Sequence, residues 1–497
     1  MSEKDRVHLV LIDPFCLGNK KTSFKLGLGY LASYVSKFGY KTLIIKYQSF
    51  KEIEHIIRTK DPKVVGITGI TYEFPRVMQI AERIKRIKKD IVIIFGGPHA
   101  SFCQSDYKKI FENIDIIVKN EGEYTLKELL DYAYGKPKGK NLHHIKGIVF
   151  SEKNKIIETE NRPFIKNLDN LPFPVRDYDA EVQEIMCLRG CYFKCKFCLW
   201  YKCLGSTIRY RSPENIVKEI ETILSKNPKS KFYFVDSTLT ISENYLQEIC
   251  NMMIKRKIIF TNITQIYGSI SNLSSKLLNL LKKVGIQYVF FGVENGSPSI
   301  REMCGKKFSN EDVIDCFSKV STHNLLPVAG FCLGLPSESK ESILESLRLA
   351  LKLNSDVRNL SFLILSFKPY PGTEFYENPK NYDYTIIEEN YTRWSEQYVV
   401  GRTSEINEKN LASYIWSFCV IFNVLRVNFH DNKIIKILYW PIRIILKMCP
   451  YLVFKYFFFF LVKSHGTIKN IFGIPDNAIH LIRTSKSYLN TAEMILS

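Results

Sequence analysis

Cys191, Cys195 and Cys198 fall within the stretch CYFKCKFC, a C-x3-C-x2-C pattern. Thiolates so closely spaced suit zinc or an iron–sulfur cluster. Three is one short of a closed cage. Structural zinc needs four ligands, and Cys187 or Cys203 could complete that set. A [4Fe–4S] cluster is ordinarily held by four thiolates. Held by three, it keeps one iron open, and that iron can take the amine and carboxylate of an amino acid. Spacing alone leaves both chemistries standing.

The elements around the cysteines narrow the choice. The chain has 497 residues, with 45% apolar and 13% aromatic content, so it is a folded protein of more than one domain. Its first third alternates apolar runs (VHLVLI, TLIIK, VVGIT, VIIFGG, IDIIV) with amphipathic segments. That is the pattern of a doubly wound parallel sheet, here expected over 1–138. Such sheets bind ligands beyond the carboxyl ends of their strands. Those ends carry Gly66, Thr68, Gly96, Gly97, His99, Glu121 and Gly122. A connector follows at 139–180, containing KPKGK and LDNLPFPVRD. A second alternating region over 181–375 has six strand-like segments and reads as a partial (β/α)6 barrel of TIM type. The cysteine loop follows its first strand, where such barrels place chemistry. Ser212 as N-cap and Pro213 at the first helical position open one of its helices. The remainder, 376–497, reads as helical, basic and aromatic.

The C-x3-C-x2-C motif with Phe197 before the last cysteine resembles the signature of the radical S-adenosylmethionine (SAM) enzymes. The resemblance implies a [4Fe–4S] cluster whose open iron binds the methionyl end of SAM and cleaves it to a 5′-deoxyadenosyl radical. Further segments match in order. In YFVDSTLT, Asp236 would hold the SAM amino group, with Ser237 where relatives often have a second acid. In FFGVENGSPSIREMCGKKFS, Glu294 would reach the ribose or methionyl end, with Lys306 or Lys307 near the carboxylate. AGFCLGLPSES, with Gly334 and Pro336, would lie against the adenine, and FKPYPGTEFYE would close the barrel. QIYGSI lacks the arginine many relatives carry there.

The amino-terminal third lacks a G-x-G-x-x-G turn or a Walker loop. Instead GYLASYVSKFGYK, VVGIT, GGPHAS and VKNEGEYTLKELL resemble the cobalamin-binding domain that precedes the barrel in one large subfamily. The Asp-x-His-x-x-Gly motif that gives cobalt a histidine is absent, and His99 is expected only to line the pocket. By resemblance, the chain is a cobalamin-dependent radical SAM methyltransferase acting on an unactivated carbon or phosphorus. Cyclisation or rearrangement without methyl transfer is the alternative within enzymes. A non-catalytic iron–sulfur or zinc scaffold is the alternative outside them.

The expected partners are a small-molecule substrate and a reducing donor such as flavodoxin or ferredoxin. Lys+Arg exceed Asp+Glu by 70 to 50, read as biased lysine usage; no nucleic-acid partner is expected. Thirteen cysteines without paired spacing, and a start without signal-peptide regions, fit a reducing cytoplasm. The apolar, basic segment 433–463, interrupted by Pro441 and Pro450, is either an interfacial membrane contact or a helical cap on the barrel. The first reading would favour a lipid or polyisoprenoid substrate over another natural-product intermediate.

Overall fold

The computed structural model describes residues 7–14, 23–136, 141–271, 273–388, 391, 394, 400–407, 410–411 and 414. The segment 433–463 and its membrane reading lie outside them.

Two sheets organise the chain. The first contains β1 (Leu9–Asp13), β2 (Thr42–Lys46), β3 (Val64–Thr68), β4 (Val92–Gly96), β5 (Ile116–Val118), β6 (Ile148–Glu152) and β7 (Lys155–Glu158), in the order β2-β1-β3-β4-β5-β6-β7. The first five strands run parallel; β6 and β7 add an antiparallel hairpin. The parallel strands are near-continuous apolar runs because helices cover both faces. The helix Phe74–Ile87 buries Val77, Ile80, Ala81 and Ile84 on one face, and the helix Leu26–Ser36 buries Leu28, Ala32 and Val35 on the other. The sheet order reverses between β1 and β3, so a crevice opens at their carboxyl ends.

The hairpin departs from the expected connector at 139–180. Val149 and Phe150 are buried against the sheet, and the strands continue it. The rest of the connector is held as well. Val175 N–H donates to Gly29 O at 3.1 Å, and a Cβ on Gly29 would stand 2.3 Å from Val175 O. LPFPV therefore lies directly on the helix Leu26–Ser36.

The second sheet contains β8 (Val182–Ile185), β11 (Lys231–Phe234), β12 (Thr264–Gly268), β13 (Tyr288–Glu294), β14 (Leu326–Leu333) and β15 (Ser361–Ser366), all parallel, in the order β15-β14-β13-β12-β11-β8. A short pair, β9 (Leu188–Arg189) with β10 (Arg209–Tyr210), stands beside β8. This is six strands of an open barrel, with helices between them. Alternate residues such as Val289, Phe291 and Val293 pack outward in the main core. Their neighbours Phe290, Gly292 and Glu294 face the opposite side, the lumen. The helix Pro213–Lys226 starts as its sequence dictates: Ser212 Oγ accepts from Asn215 N at 3.2 Å, and proline occupies the first turn. Among the described residues no helix is long and apolar enough to cross a membrane.

Candidate active site between the two sheets

A cavity of about 410 Å³ lies where the carboxyl ends of both sheets face each other. From the first sheet come Gly66, Thr68, Gly96, Gly97, Glu121 and Gly122. From the second come Met186, Leu188, Gly190, Asp236, Ser237 and Trp200. Its walls are mostly apolar and small, which suits a flat macrocycle. Gly97 has φ +102°, and a Cβ there would meet Gly69 O at 2.8 Å and Thr68 Oγ1 at 2.9 Å. Gly27, at the start of the helix Leu26–Ser36, is the converse: its Cβ would meet nothing within 4 Å and would enter the cavity.

Asp236 follows β11. Its Oδ1 accepts from Cys187 N at 2.8 Å and Leu188 N at 2.7 Å, tying β11 to the strand end that leads into the cysteine loop. Its Oδ2 is buried on the cavity wall without a hydrogen-bond partner, beside the Cys187 thiol. Burial pushes the Asp236 carboxyl up to about 7. A buried carboxylate oxygen beside a thiol is one with which an ammonium donor could pair. Ser237 Oγ donates to Gly190 O at 3.2 Å, so its hydroxyl braces the residue before Cys191.

The cysteine loop is fixed by its backbone. Cys191 N donates to Gly205 O at 3.1 Å, and Cys198 N to Cys195 O at 3.0 Å. Gly190 has φ +103°, and any Cβ would stand 2.3 Å from Thr207 O. Cys191 and Cys195 are buried and Cys198 is half-buried; all three are free thiols. Trp200 N lies 3.5 Å from Cys198 Sγ, an N–H···S contact of the kind that supports a thiolate ligand. Burial pushes the Cys198 thiol up to about 12, and a bound metal would favour its thiolate. Among the described residues, just one three-ligand group has its donor atoms within 4.8 Å of one another, and it is not in this loop. At Zn–S near 2.3 Å, a tetrahedral ion needs sulfurs about 3.8 Å apart. No three of the sulfurs of Cys187, Cys191, Cys195, Cys198 and Cys203 lie within 4.8 Å of one another.

Glu294 ends β13 at a bulge, with φ +64°. Lys306 Nζ donates to Glu294 Oε1 at 2.7 Å and to Gly292 O at 2.8 Å. Burial opposes the Lys306 charge, but Glu294 and Cys195 outweigh it and raise its pKa. The Lys306 ammonium also sits 5.9 Å from the Phe197 ring. Glu294 and Lys306 thus stand beside the cysteine loop. Gly334 and Pro336 form a buried turn after β14, with Gly334 N–H donating to Glu338 Oε2. Phe197, Glu294, Lys306, Gly334 and Pro336 lie outside the cavity lining.

His99 is not on the cavity. It is fully buried behind the β4 end, stacked on Phe74 with centroids 4.3 Å apart. The left-handed turn at Gly97 carries the chain around, so Pro98 faces the cavity and His99 the core. Sequence reading also missed Arg189. Its guanidinium donates to Glu121 Oε1 at 3.0 Å and to Glu123 Oε1 at 2.6 Å, with all three side chains buried. Arg209 adds a bond to Glu121 Oε1 at 2.9 Å. Glu121 is therefore committed to joining the two sheets. A charged residue between an apolar strand and the first cysteine was the signal available.

Comparison with known proteins agrees with this architecture. Residues 20–130 match the B12 binding domain family and residues 185–350 the radical SAM superfamily. The chain is 30% identical over 364 residues to an uncharacterized methyltransferase of Pyrococcus horikoshii, covering 71% of this chain and 77% of that one. It is 27% identical over 374 residues to the anaerobic magnesium-protoporphyrin IX monomethyl ester cyclase of Rubrivivax gelatinosus, covering 70% of this chain and 65% of the cyclase. Its fold is similar to OxsB, a cobalamin-dependent SAM radical enzyme solved with aqua-cobalamin and SAM. The TM-score is 0.70 at 17% identity, over 97% of this chain and 75% of OxsB. It also matches the radical SAM methyltransferase TsrM from Kitasatospora setae, solved with cobalamin and a [4Fe–4S] cluster, with TM-score 0.62 at 16% identity over 74% of each chain. This chain belongs to the radical SAM superfamily, in the group whose barrel follows a B12-binding domain.

Proposed function

We propose that this protein is a cobalamin-dependent radical SAM methyltransferase acting on an unactivated carbon or phosphorus of a small molecule. The observation that carries the reading is the shared cavity. Glycine-rich strand ends of the B12-binding sheet face Gly190, Asp236 and Ser237 of the barrel across one space. Two cofactors that must act on one substrate need that arrangement.

Cys191, Cys195 and Cys198 would hold a [4Fe–4S] cluster, and the residues around them fit SAM on its open iron. Asp236 Oδ2 is an acceptor for the methionyl ammonium. Lys306, paired with Glu294 next to Cys195, would offer a cation to the methionyl carboxylate, and Glu294 would reach the ribose or methionyl end. The Gly334–Pro336 turn would present backbone to the adenine. Gly66, Thr68, Gly96, Gly97 and Gly122 would carry the corrin; no histidine is among the described residues that line the cavity. When bound, the cluster and SAM supply hydrogen abstraction, and cobalamin supplies the transferred methyl group. The chain's own work is orientation and exclusion of water. Tyr233 and Tyr267, hydrogen-bonded at 2.6 Å, and the lumen-facing Leu363 and Leu365 leave a mixed surface for the substrate. A lipid or polyisoprenoid fits the leucines. Reduced flavodoxin or ferredoxin would deliver the electron, and a reducing cytoplasm is the setting.

The match to the magnesium-protoporphyrin cyclase favours a second reading, cyclisation or rearrangement without methyl transfer. Anaerobic reconstitution with iron, sulfide and hydroxocobalamin, followed by nucleoside analysis under strong reductant, separates them. S-adenosylhomocysteine alongside 5′-deoxyadenosine supports methyl transfer. 5′-Deoxyadenosine alone supports the second reading. Neither product contradicts both and leaves the non-catalytic scaffold.

A further inference from the structure

His99 lies in the short helix Pro98–Phe102 that follows β4, Cys103 at the break after it, and Asp106 at the end of the 3-10 turn Gln104–Asp106. Their donor atoms lie within 4.8 Å of one another. His99 Nε2 is 3.2 Å from Asp106 Oδ2, and Cys103 Sγ is 2.6 Å from the same oxygen. The group sits behind the B12-binding sheet, on the far side of Gly97 from the cavity, so it is separate from the site described above.

Two details distinguish it from an ordinary hydrogen-bonded cluster. First, His99 Nε2 is buried and makes no hydrogen bond, although a carboxylate oxygen is 3.2 Å away. Bound to one zinc ion at about 2.0–2.1 Å each, a nitrogen and an oxygen stand roughly 3.3 Å apart at the tetrahedral angle. Second, His99 Nδ1 lies 3.4 Å from Thr71 Oγ1, which can accept its proton. In the tautomer with the ring proton on Nδ1, that contact is a hydrogen bond to Thr71 and the Nε2 lone pair is left to a cation, the usual second contact of a ligating histidine. Without an ion the thiol donates to Asp106 Oδ2, and a zinc between them would move the two atoms apart by about 1 Å.

We propose that His99, Cys103 and Asp106 bind a single zinc ion in a structural site within the B12-binding domain. The donor set is one imidazole, one thiolate and one carboxylate, which suits zinc rather than magnesium or calcium. Asp106 is one-fifth exposed at its side chain, which gives the ion a way in. The fourth ligand is water or the Tyr391 phenol, 3.8 Å from Cys103 Sγ. Tyr391 comes from beyond the barrel, and Phe102, between the ligands, packs on Gly372 of its closing segment. The ion would fasten the loop after Gly97 to that segment.

Zinc analysis and zinc K-edge absorption on the holoenzyme test this, because neither iron nor cobalt contributes at that edge. The expected result is about one zinc per chain, with one sulfur near 2.3 Å and the remaining ligands nitrogen or oxygen near 2.0–2.1 Å. The double variant Cys103→Ala, Asp106→Asn should lose zinc at least tenfold while keeping its iron. Zinc below about a tenth of an equivalent in the wild type overturns the proposal, even if the variant does not fold. So does zinc with two or more sulfurs, which is metal in the Cys191–Cys198 loop. Neither outcome bears on the methyltransferase reading, which rests on the other face of the sheet.

Discussion

Arg189 of the barrel and Glu121 of the B12-binding sheet form a buried ion pair at 3.0 Å, two residues ahead of Cys191. The same guanidinium holds Glu123 at 2.6 Å. One arginine thereby ties the strand ends of the first sheet to the cysteine loop. Replacing it with alanine strands the Glu123 carboxylate in a dry interface, while Glu121 keeps Arg209. Breaking a buried pair from one side costs about 3–5 kcal/mol. Arg189→Ala should lower the unfolding free energy by that order in chemical denaturation. A loss under about 1 kcal/mol would mean the interface is wet and the pair ornamental.

Asp236→Asn should keep the fold and weaken SAM binding. Asparagine's carbonyl can still accept from Cys187 N and Leu188 N, while its amide replaces the buried Oδ2. A hydrogen bond to a charged group contributes about 1.5–3 kcal/mol, or roughly ten- to a hundredfold in affinity. Equilibrium dialysis of SAM against the cluster-loaded variant reads this directly. Unchanged affinity would remove Asp236 from the site.

The raised pKa of Asp236 also sets a pH dependence. Near neutrality the native state holds a proton that the unfolded chain, with an ordinary aspartate, has released. The native state binds more protons between about pH 4 and pH 7, so this residue's contribution to stability falls as pH rises through that window. SAM binding runs the other way, since the ammonium needs the carboxylate. Affinity should rise between about pH 6 and 8 in the wild type and be flat in Asp236→Asn. A flat wild-type profile would contradict this.

Gly27→Leu fills the cavity from the first turn of the helix Leu26–Ser36. Nothing within 4 Å opposes the new Cβ, and leucine is the better helix former by up to about 1 kcal/mol. The variant should fold at least as stably as the wild type yet retain hydroxocobalamin at least tenfold less on gel filtration. Undiminished retention would place the corrin elsewhere.

The sequence made the strands legible because parallel strands covered on both faces must be apolar throughout, as VVGIT and VIIFGG are. The glycines at their ends were legible for the same reason, being the small residues where chain must pass close. The hairpin Ile148–Glu158 was not: one strand of it is almost wholly exposed, so it carries little apolar pattern. The side to which His99 points depends on a single backbone angle at Gly97, which spacing does not encode. The Arg189–Glu121 pair is 68 residues apart and has no local signature.

The central claim is a [4Fe–4S] cluster on Cys191, Cys195 and Cys198 with one iron open to SAM. Electron paramagnetic resonance of the anaerobically reconstituted, dithionite-reduced protein tests it most directly. The account predicts a reduced-cluster signal whose g values shift when SAM is added, and which is lost when the three cysteines are changed to alanine. A signal indifferent to SAM, or one that survives the triple change, would contradict it.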